Sequence, residues 1–587
     1  MKKYSLINNV LGWVVFLIAT TVYLLTAEPT VPWWDCGEYT ATADKLQVGH
    51  PPGAPTFQLI GSLFSIFAGS DTSLVAYAMN AMSAICSGFT ILFLFWTITM
   101  LAKKLVKNKE EMTLGQMIAI FASGVVGSLA YTFSDTFWYS AVESEVYAMS
   151  SCFTAISFWA ILKWEAEADD KHNLRWLILI AFLIGISIGV HLLNLLAIPA
   201  ITYVFYFKKY PNVEKNKKRN FILVGIISML LVAIILYFIV PYIVIFAGKF
   251  EIFFTNSIGL PFNTGTIVYF ALLIGLLVWG VWYSIKKQKV ILNTALLSVL
   301  FILIGYTTFF VLVIRSNANT PINENAPKDA TALLTYLNRE QYGYTPLFHG
   351  QYYNAMVVDQ QESSSKYIKD KESGKYIEVK QRGKLVYESD KTTIFPRMWS
   401  NDESRNHPTY YKMWAGIDEN SDRKPTFAEN LTYFFRYQVN HMYWRYFMWN
   451  FAGRQNDIQS HGLNLSGNEP TNVSNGTKDL LHGNWITGID FIDEMRLGPQ
   501  DNLPVDLANN AGKNKLFCLP LLLGLAGLIF HIKKSPKDSF VVFLLFFMTG
   551  LAIVLYLNQP PAQPRERDYA YAGSFYAFTI WIGLGVY

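Results

Sequence analysis

Apolar stretches long enough to cross a bilayer recur along most of this sequence, and they limit the fold more than any motif does. The hydrocarbon core asks for about 20 consecutive apolar residues in a helix, because no water is present there to satisfy an open backbone. Such runs are read at 8–27, 74–102, 114–134, 146–164, 175–191, 194–208, 220–247, 264–285, 290–314, 515–532, 539–557 and 571–587. The pair 175–191 and 194–208 is short and divided by a break at His191 and Asn194. The expected fold class is mainly α, a polytopic transmembrane helical protein of about 12 spans. Only 16% of residues are charged, against about 25% in soluble domains. Cys36, Cys86, Cys152 and Cys518 are scattered and form neither a disulfide framework nor a metal-binding spacing. The basic start before the first run lacks a clean cleavage site, so an uncleaved first span is expected. The last run reaches Tyr587, which reads as a portion of a longer protein.

Lysine and arginine set the sidedness. With a cytoplasmic N-terminus, the inner loops hold Lys103, Lys104, Lys107 and Lys109, then Lys163, Lys171 and Arg175. They continue with Lys208, Lys209, Lys215, Lys217, Lys218 and Arg219, then Lys286, Lys287 and Lys289, then Lys533, Lys534 and Lys537. The opposite loops carry little base beyond Lys45, Lys249, Arg565 and Arg567. Three regions follow: a transmembrane module with outer loops at 1–314, an inserted α+β extracytoplasmic domain of about 200 residues at 315–514, and C-terminal transmembrane helices at 515–587. Residues 56–69 are apolar but too short to span and are expected to lie in the interface.

The outer side gathers the ionisable groups. Its first loop reads Trp33-Trp34-Asp35-Cys36-Gly37-Glu38-Tyr39, followed by His50-Pro51-Pro52-Gly53. Asp35 and Glu38 are three residues apart, so a helix would set both on one face. Burying a carboxylate costs free energy, so acids beside aromatics at a membrane surface call for a reason. The plain alternative is an interfacial loop with two solvated acids. A second outer loop carries Asp135, Glu143 and Glu145. A third places Arg565 and Arg567 where outward arginines suit an anionic headgroup or phosphate. The alternative there is pairing with Glu566 and Asp568 within the same proline-stiffened turn. Arg315, at the outer end of its span, reads as an interface anchor.

The stretch 430–457 is aromatic all round and includes Trp444 and Arg445. It is either a core helix of the outer domain or a site wall on which rings stack against a sugar and arginine holds an anion. At the break, His191 and Asn194 read as a capped helix end or as a substrate-lining kink. Dinucleotide, nucleotide-phosphate, nucleophile-elbow and zinc-protease motifs are missing in any supporting context. Paired outer acids are the ligand type for a divalent cation. They are too dispersed to count a ligand set, so no metal ligand is assigned. A nucleic-acid partner is not expected.

Outside the cell membrane there is no supply of nucleoside triphosphates. An enzyme building glycosidic bonds there needs a donor activated beforehand, such as a sugar on a polyprenyl phosphate. It also needs a carboxylate base, cations for the departing phosphate and aromatics for the sugar. The candidates are Asp35 or Glu38, then Arg565 and Arg567, with His50, Glu143, Glu145, Trp34, Trp444 and Arg445 as further substrate contacts. Spacing does not choose between the two acids of the first loop.

The arrangement resembles the GT-C class of membrane glycosyltransferases. The segments 34–39, 50–53, 443–451 and 564–569 resemble a bacterial family formerly of unknown function, which is related to a vertebrate transmembrane protein O-mannosyltransferase. The resemblance implies an inverting transfer of a sugar, mannose, from a polyprenyl-phosphate donor to Ser/Thr of a protein acceptor. It further implies Asp35 as base, Glu38 as a second acidic or positioning group, and a multi-pass protein of a bacterial inner membrane with its active site in the periplasm and membrane lipids around it. Two other readings stay open. One is a transferase acting on a lipid or glycan. The other is a flippase for a lipid-linked sugar, which should carry mid-bilayer charges and repeat symmetry.

Overall fold

Hydrophobic runs this long can satisfy their backbone in lipid only as helices, and helices are what the computed structural model contains. It describes residues 2–107, 111–211, 216–361, 365–380, 383–464 and 477–587. Lys109 and Lys215 lie outside them.

In chain order the N-terminal module comprises α1 (Lys2–Thr26), α2 (Cys36–Asp44), α3 (Pro55–Ser65), α4 (Thr72–Lys104), α5 (Leu114–Thr132), α6 (Asp135–Ala141) and α7 (Val146–Ala166). It continues through α8 (Leu174–Ile188), α9 (Ile198–Lys209), α10 (Lys217–Ser257), α11 (Thr264–Lys286) and α12 (Val290–Asn317). The C-terminal helices are α18 (Leu519–Lys534), α19 (Pro536–Leu557) and α20 (Ala572–Val586); α13–α17 lie between the two modules, in the segment expected outside the membrane and called the outer domain below.

Among the described residues, eight helices are long and apolar enough to cross a membrane: α1, α4, α5, α7, α10, α11, α12 and α19. This is a multi-pass membrane protein. The other four expected spans are helices of 15, 12, 16 and 15 residues (α8, α9, α18 and α20). At about 1.5 Å per residue none of them covers a hydrocarbon core of about 30 Å alone. Large apolar side chains on α11, such as Leu272, Ile274, Trp279 and Trp282, are more than half exposed, as a lipid-facing surface requires. The interfacial expectation at 56–69 corresponds to a short apolar helix with Leu63, Ile66 and Phe67 exposed.

The helix that decides the assembly is α20. It packs against α5, α18 and α19, and nearly every residue from Ala572 to Leu584 is buried. Glycines let the backbones meet, as they do between membrane helices generally. A Cβ on Gly127 would fall 2.9 Å from the Cα of Gly583, and one on Gly583 would fall 2.7 Å from the carbonyl oxygen of Ser123. The helix therefore sits at the centre of the N-terminal module, and the loop before it opens where α2, α6 and α7 begin.

At the lysine-rich end, Lys104 pairs with Glu165 at 2.5 Å and Asp538 at 2.8 Å, joining the ends of α4, α7 and α19. Lys208 pairs with Asp169 at 3.0 Å. Loops assigned to one side by their charge thus lie together.

The outer domain begins with α13 (Ala330–Leu337) and three antiparallel ribbons. Strand β1 (His349–Gln351) pairs with β6 (Thr392–Ile394), β2 (Val357–Gln360) with β5 (Leu385–Tyr387), and β3 (Ser365–Asp370) with β4 (Lys375–Lys380). Then come α14 (His407–Ala415) and α15 (Phe427–Tyr433), which runs through π-helical turns (Phe434–Trp444) into α16 (Arg445–Phe451). The aromatic stretch is mostly core: Phe447 and Phe451 pack on Phe578 of α20, with ring centroids 4.8 and 4.6 Å apart. After β7 (Gly453–Arg454), α17 (Asp490–Leu497) leads to β8 (Asn514–Lys515), which returns to β7.

Candidate active site

The site forms where three connections between helices meet, those before α2, α7 and α20. Asp35 occupies the N-cap position of α2, but its side chain makes no capping hydrogen bond. A carboxylate is favoured at a helix N-terminus, and this one remains 53% exposed. The preceding Trp34 has φ +70°, a conformation that costs a bulky residue free energy. That turn brings the indole to within 5.8 Å of the Arg565 guanidinium.

Glu145 holds the equivalent position at the N-terminus of α7 and is 1% exposed. It accepts a hydrogen bond from Arg565 at 2.8 Å, and Asp35 lies 3.9 Å from the same guanidinium nitrogen. Arg565 also donates to the Tyr569 hydroxyl at 3.2 Å, and Arg567 donates to that hydroxyl from the other side at 2.5 Å. Tyr147 stacks near Tyr569 at 4.3 Å, and His191 lies 5.4 Å from Tyr147. Thr40 and Ser144 share a hydrogen bond of 3.0 Å that ties α2 to the second loop.

Burial is the largest influence on the second-loop acids. It raises Glu145, against the nearby Arg565, and with the charge of Glu145 it pushes Glu143 up to about 8. Burial likewise lifts Asp135 to about 6, although Asn514 donates to both its oxygens at 2.9 Å. A half-exposed carboxylate, a cationic pair spanned by a phenol and a neighbouring acid near neutrality are the groups that move a proton and stabilise a departing anion. Among the described residues no three His, Cys, Asp or Glu side chains converge as a metal-binding group.

Residues 35–214 match the family model for the Protein O-mannosyl-transferase TMEM260 N-terminal domain. The chain's N-terminal module is related to the protein O-mannosyl-transferases. It is 28% identical over 156 residues to Protein O-mannosyl-transferase tmem260 of Dictyostelium discoideum, 27% of this chain and 17% of that protein. It is 25% identical over 175 residues to Protein O-mannosyl-transferase TMEM260 of Mus musculus, 30% of this chain and 22% of that protein. The alignments span less than a quarter of the curated relatives. Residues 343–435 match a family of unknown function (DUF8416). No solved structure matches the chain. The related stretch begins at Asp35 and contains Glu38, His50, Glu143 and Glu145, while Arg565 and Arg567 come from far beyond it.

The structure separates the remaining candidates. Glu38 is engaged with His50, whose Nδ1 lies 3.1 Å from both carboxylate oxygens. Trp444 stacks on Phe447 at 5.1 Å rather than on the Asp35 niche. Arg445 is 6% exposed and spent on Glu566 at 2.6 Å and on the Gly483 carbonyl at 2.9 Å. The alternative of an internally paired turn does not describe the 565–568 loop: Glu566 turns to Arg445 and Tyr446, and Asp568 accepts from Thr136 at 2.7 Å. The two arginines face the acids and phenols of the niche instead. Arg315 anchors protein rather than lipid, donating to the carbonyls of Leu46 and Lys45. His191 caps its break by accepting from the Leu193 N–H at 3.2 Å. Sequence reasoning missed Tyr147 and Tyr569 as site residues, although both adjoin motifs that it used.

Proposed function

We propose that this chain is a membrane glycosyltransferase of GT-C type. It moves a sugar, mannose by relationship, from a polyprenyl-phosphate donor to Ser/Thr hydroxyls of exported proteins at the periplasmic face of a bacterial inner membrane. The observation that carries the reading is Asp35, uncapped and half-exposed, 3.9 Å from an Arg565 that is held by Glu145 and Tyr569. Asp35 takes the proton of the acceptor hydroxyl, whose oxygen attacks the anomeric carbon. The bond from that carbon to the phosphate oxygen breaks, and the phosphate leaves with the electron pair. Arg565 and Arg567 stabilise the charge that develops. Attack opposite the leaving group inverts the anomeric centre. An open groove lined by Ser404, Arg405, Tyr410, Gln459, His461 and by Gln563 and Pro564, which precede Arg565 in the chain, suits a polypeptide acceptor better than a lipid.

The test is transfer from a polyprenyl-phosphate-linked mannose to a Ser/Thr-rich peptide by the purified full chain. Asp35→Asn should lower turnover by about 100-fold or more while leaving folding and donor binding intact. Turnover equal to wild type in that variant removes the base assignment. Absence of transfer by wild type, together with movement of the lipid between vesicle leaflets, replaces the transferase reading with a flippase.

A further inference from the structure

The first outer loop holds a second acid–base pair to which sugar transfer gives no task. Glu38 shares the N-terminal turn of α2 with Asp35, yet His50 occupies its carboxylate. The His50 backbone N–H donates to Oε1 at 2.5 Å, and Nδ1 lies 3.1 Å from both oxygens. A Cβ on Gly49, the residue before it, would fall 2.5 Å from Glu38 Oε1 and would displace that carboxylate.

The end of α12, the stretch that follows it and α13 clamp this segment from the other side. Arg315 donates to the carbonyls of Leu46 at 2.5 Å and Lys45 at 3.1 Å. Val48 N–H donates to the Ile322 carbonyl at 3.1 Å, and Glu324 N–H donates to the Val48 carbonyl at 3.0 Å. The Tyr336 hydroxyl donates to the Gly49 carbonyl at 2.6 Å. A connection held at so many points fixes the position of what it carries. Here that is an imidazole with Nδ1 committed, its side chain 24% exposed and packed 5.6 Å from the Tyr39 ring. Among the described residues, Nε2 has no partner.

We infer that Glu38 and His50 form a carboxylate–imidazole dyad in which Glu38 orients the ring and the Nε2–H of His50 donates to an anionic oxygen of the donor's phosphate. The identity of the donor rests on the transferase reading. Glu38 is then a positioning residue and His50 a third cationic contact for the donor, in addition to Arg565 and Arg567. The charges that act on the ring are those of Glu38, Asp35 and Glu324; the Tyr39 ring packs against it, and the Tyr336 hydroxyl donates to the His50 carbonyl at 3.2 Å. All are acids or neutral donors, an environment that favours imidazolium. The Glu38 hydrogen bond raises the His50 pKa against the opposing effect of burial. The cation is therefore present below the raised value and lost as pH climbs through it. Removing the Glu38 charge brings that loss to lower pH.

A synthetic short-chain polyprenyl phosphodiester of mannose is a suitable probe, because a diester keeps one negative charge while only the protein titrates. Its binding to the purified full chain is measured from about pH 5 to 8. Wild-type affinity should fall as pH rises. His50→Gln should bind about 10- to 100-fold more weakly at the acid end, the loss of one hydrogen bond to a charged group, and should lose this fall with pH. His50→Arg should bind tightly with the same fall removed. Glu38→Gln should bind at low pH but lose affinity earlier than wild type. The dyad is overturned if His50→Gln keeps wild-type affinity and pH dependence, or if Glu38→Gln leaves the midpoint in place. Should either glutamine variant fail to fold, His50→Arg decides alone, since a retained wild-type fall in affinity with pH overturns the proposal. Peptide transfer measured on the same samples separates the two readings. Dyad-dependent binding without transfer sinks the transferase alone, and transfer with indifferent His50 variants sinks the dyad alone.

Discussion

Glu143 bears the cost of partial burial beside another acid. Burial and the neighbouring Glu145 raise its carboxyl to about 8 from an ordinary value of 4.5. The folded protein therefore binds this proton more tightly than the unfolded chain does. The group contributes stability that is full below the unfolded pKa and is lost as pH rises toward the folded one. Glu143→Gln, which cannot ionise, should remove that loss. Its melting temperature relative to wild type should increase steadily between pH 4.5 and about 8, by a few degrees in detergent. A difference that stays flat with pH would show that the carboxyl is not buried as described. The need for a special acid in the second loop was legible, since Glu143 and Glu145 stand there without a base. Which of the two would meet the arginine was not, because each has the same local sequence environment.

At the level of elements, the Arg565 loop is held by α16 as much as by its own helix. Arg445 supports Glu566, and Tyr446 accepts a hydrogen bond from the Arg567 N–H at 3.1 Å. Removing one partner of a buried pair strands the other, at a cost of about 3–5 kcal/mol, whereas replacing both is often near neutral. Arg445→Met should therefore lower thermal stability and donor affinity together. The double variant Arg445→Met with Glu566→Gln should recover much of the stability. Additive losses in that cycle would mean the pair is not coupled. The aromatic helix was legible as a helix with embedded arginines. Its choice between core and site wall was not, because burial of Arg445 depends on a partner 121 positions away in the chain. Gly583 illustrates the same point: one more glycine in an apolar run, it proves to be the contact where α20 crosses α5.

Across the whole molecule, one end collects Lys104, Glu165, Asp538, Lys208 and Asp169, and the other collects Asp35, Glu145, Arg565 and the outer domain. This polarity has a direct consequence for accessibility in intact cells. A cysteine introduced at the exposed Asn325 should react with a membrane-impermeant maleimide from outside the inner membrane, and one at the exposed Lys171 should react only after that membrane is opened. The reverse pattern would invert the protein and remove a lipid-linked donor from the reasoning. Labelling of both positions from outside would break the helix assignment between them.

Apolar runs, lysine counts and the clustering of acids between helices are local properties, so the sequence alone determines where helices long enough to cross a membrane are expected and which loops group by charge. Even so, four apolar runs expected to span became short helices, because a run's hydropathy does not say whether lipid or protein will cover it. The tertiary structure decided which ionisable groups meet. Asp35 and Glu38 are equivalent in spacing, but only Asp35 faces Arg565, while Glu38 is taken by His50. That division follows from close glycine packing of α20 against α5 and from clamping of the 45–50 segment by the end of α12, residues 322–324 and Tyr336. Both are contacts between residues hundreds of positions apart, which no local pattern encodes.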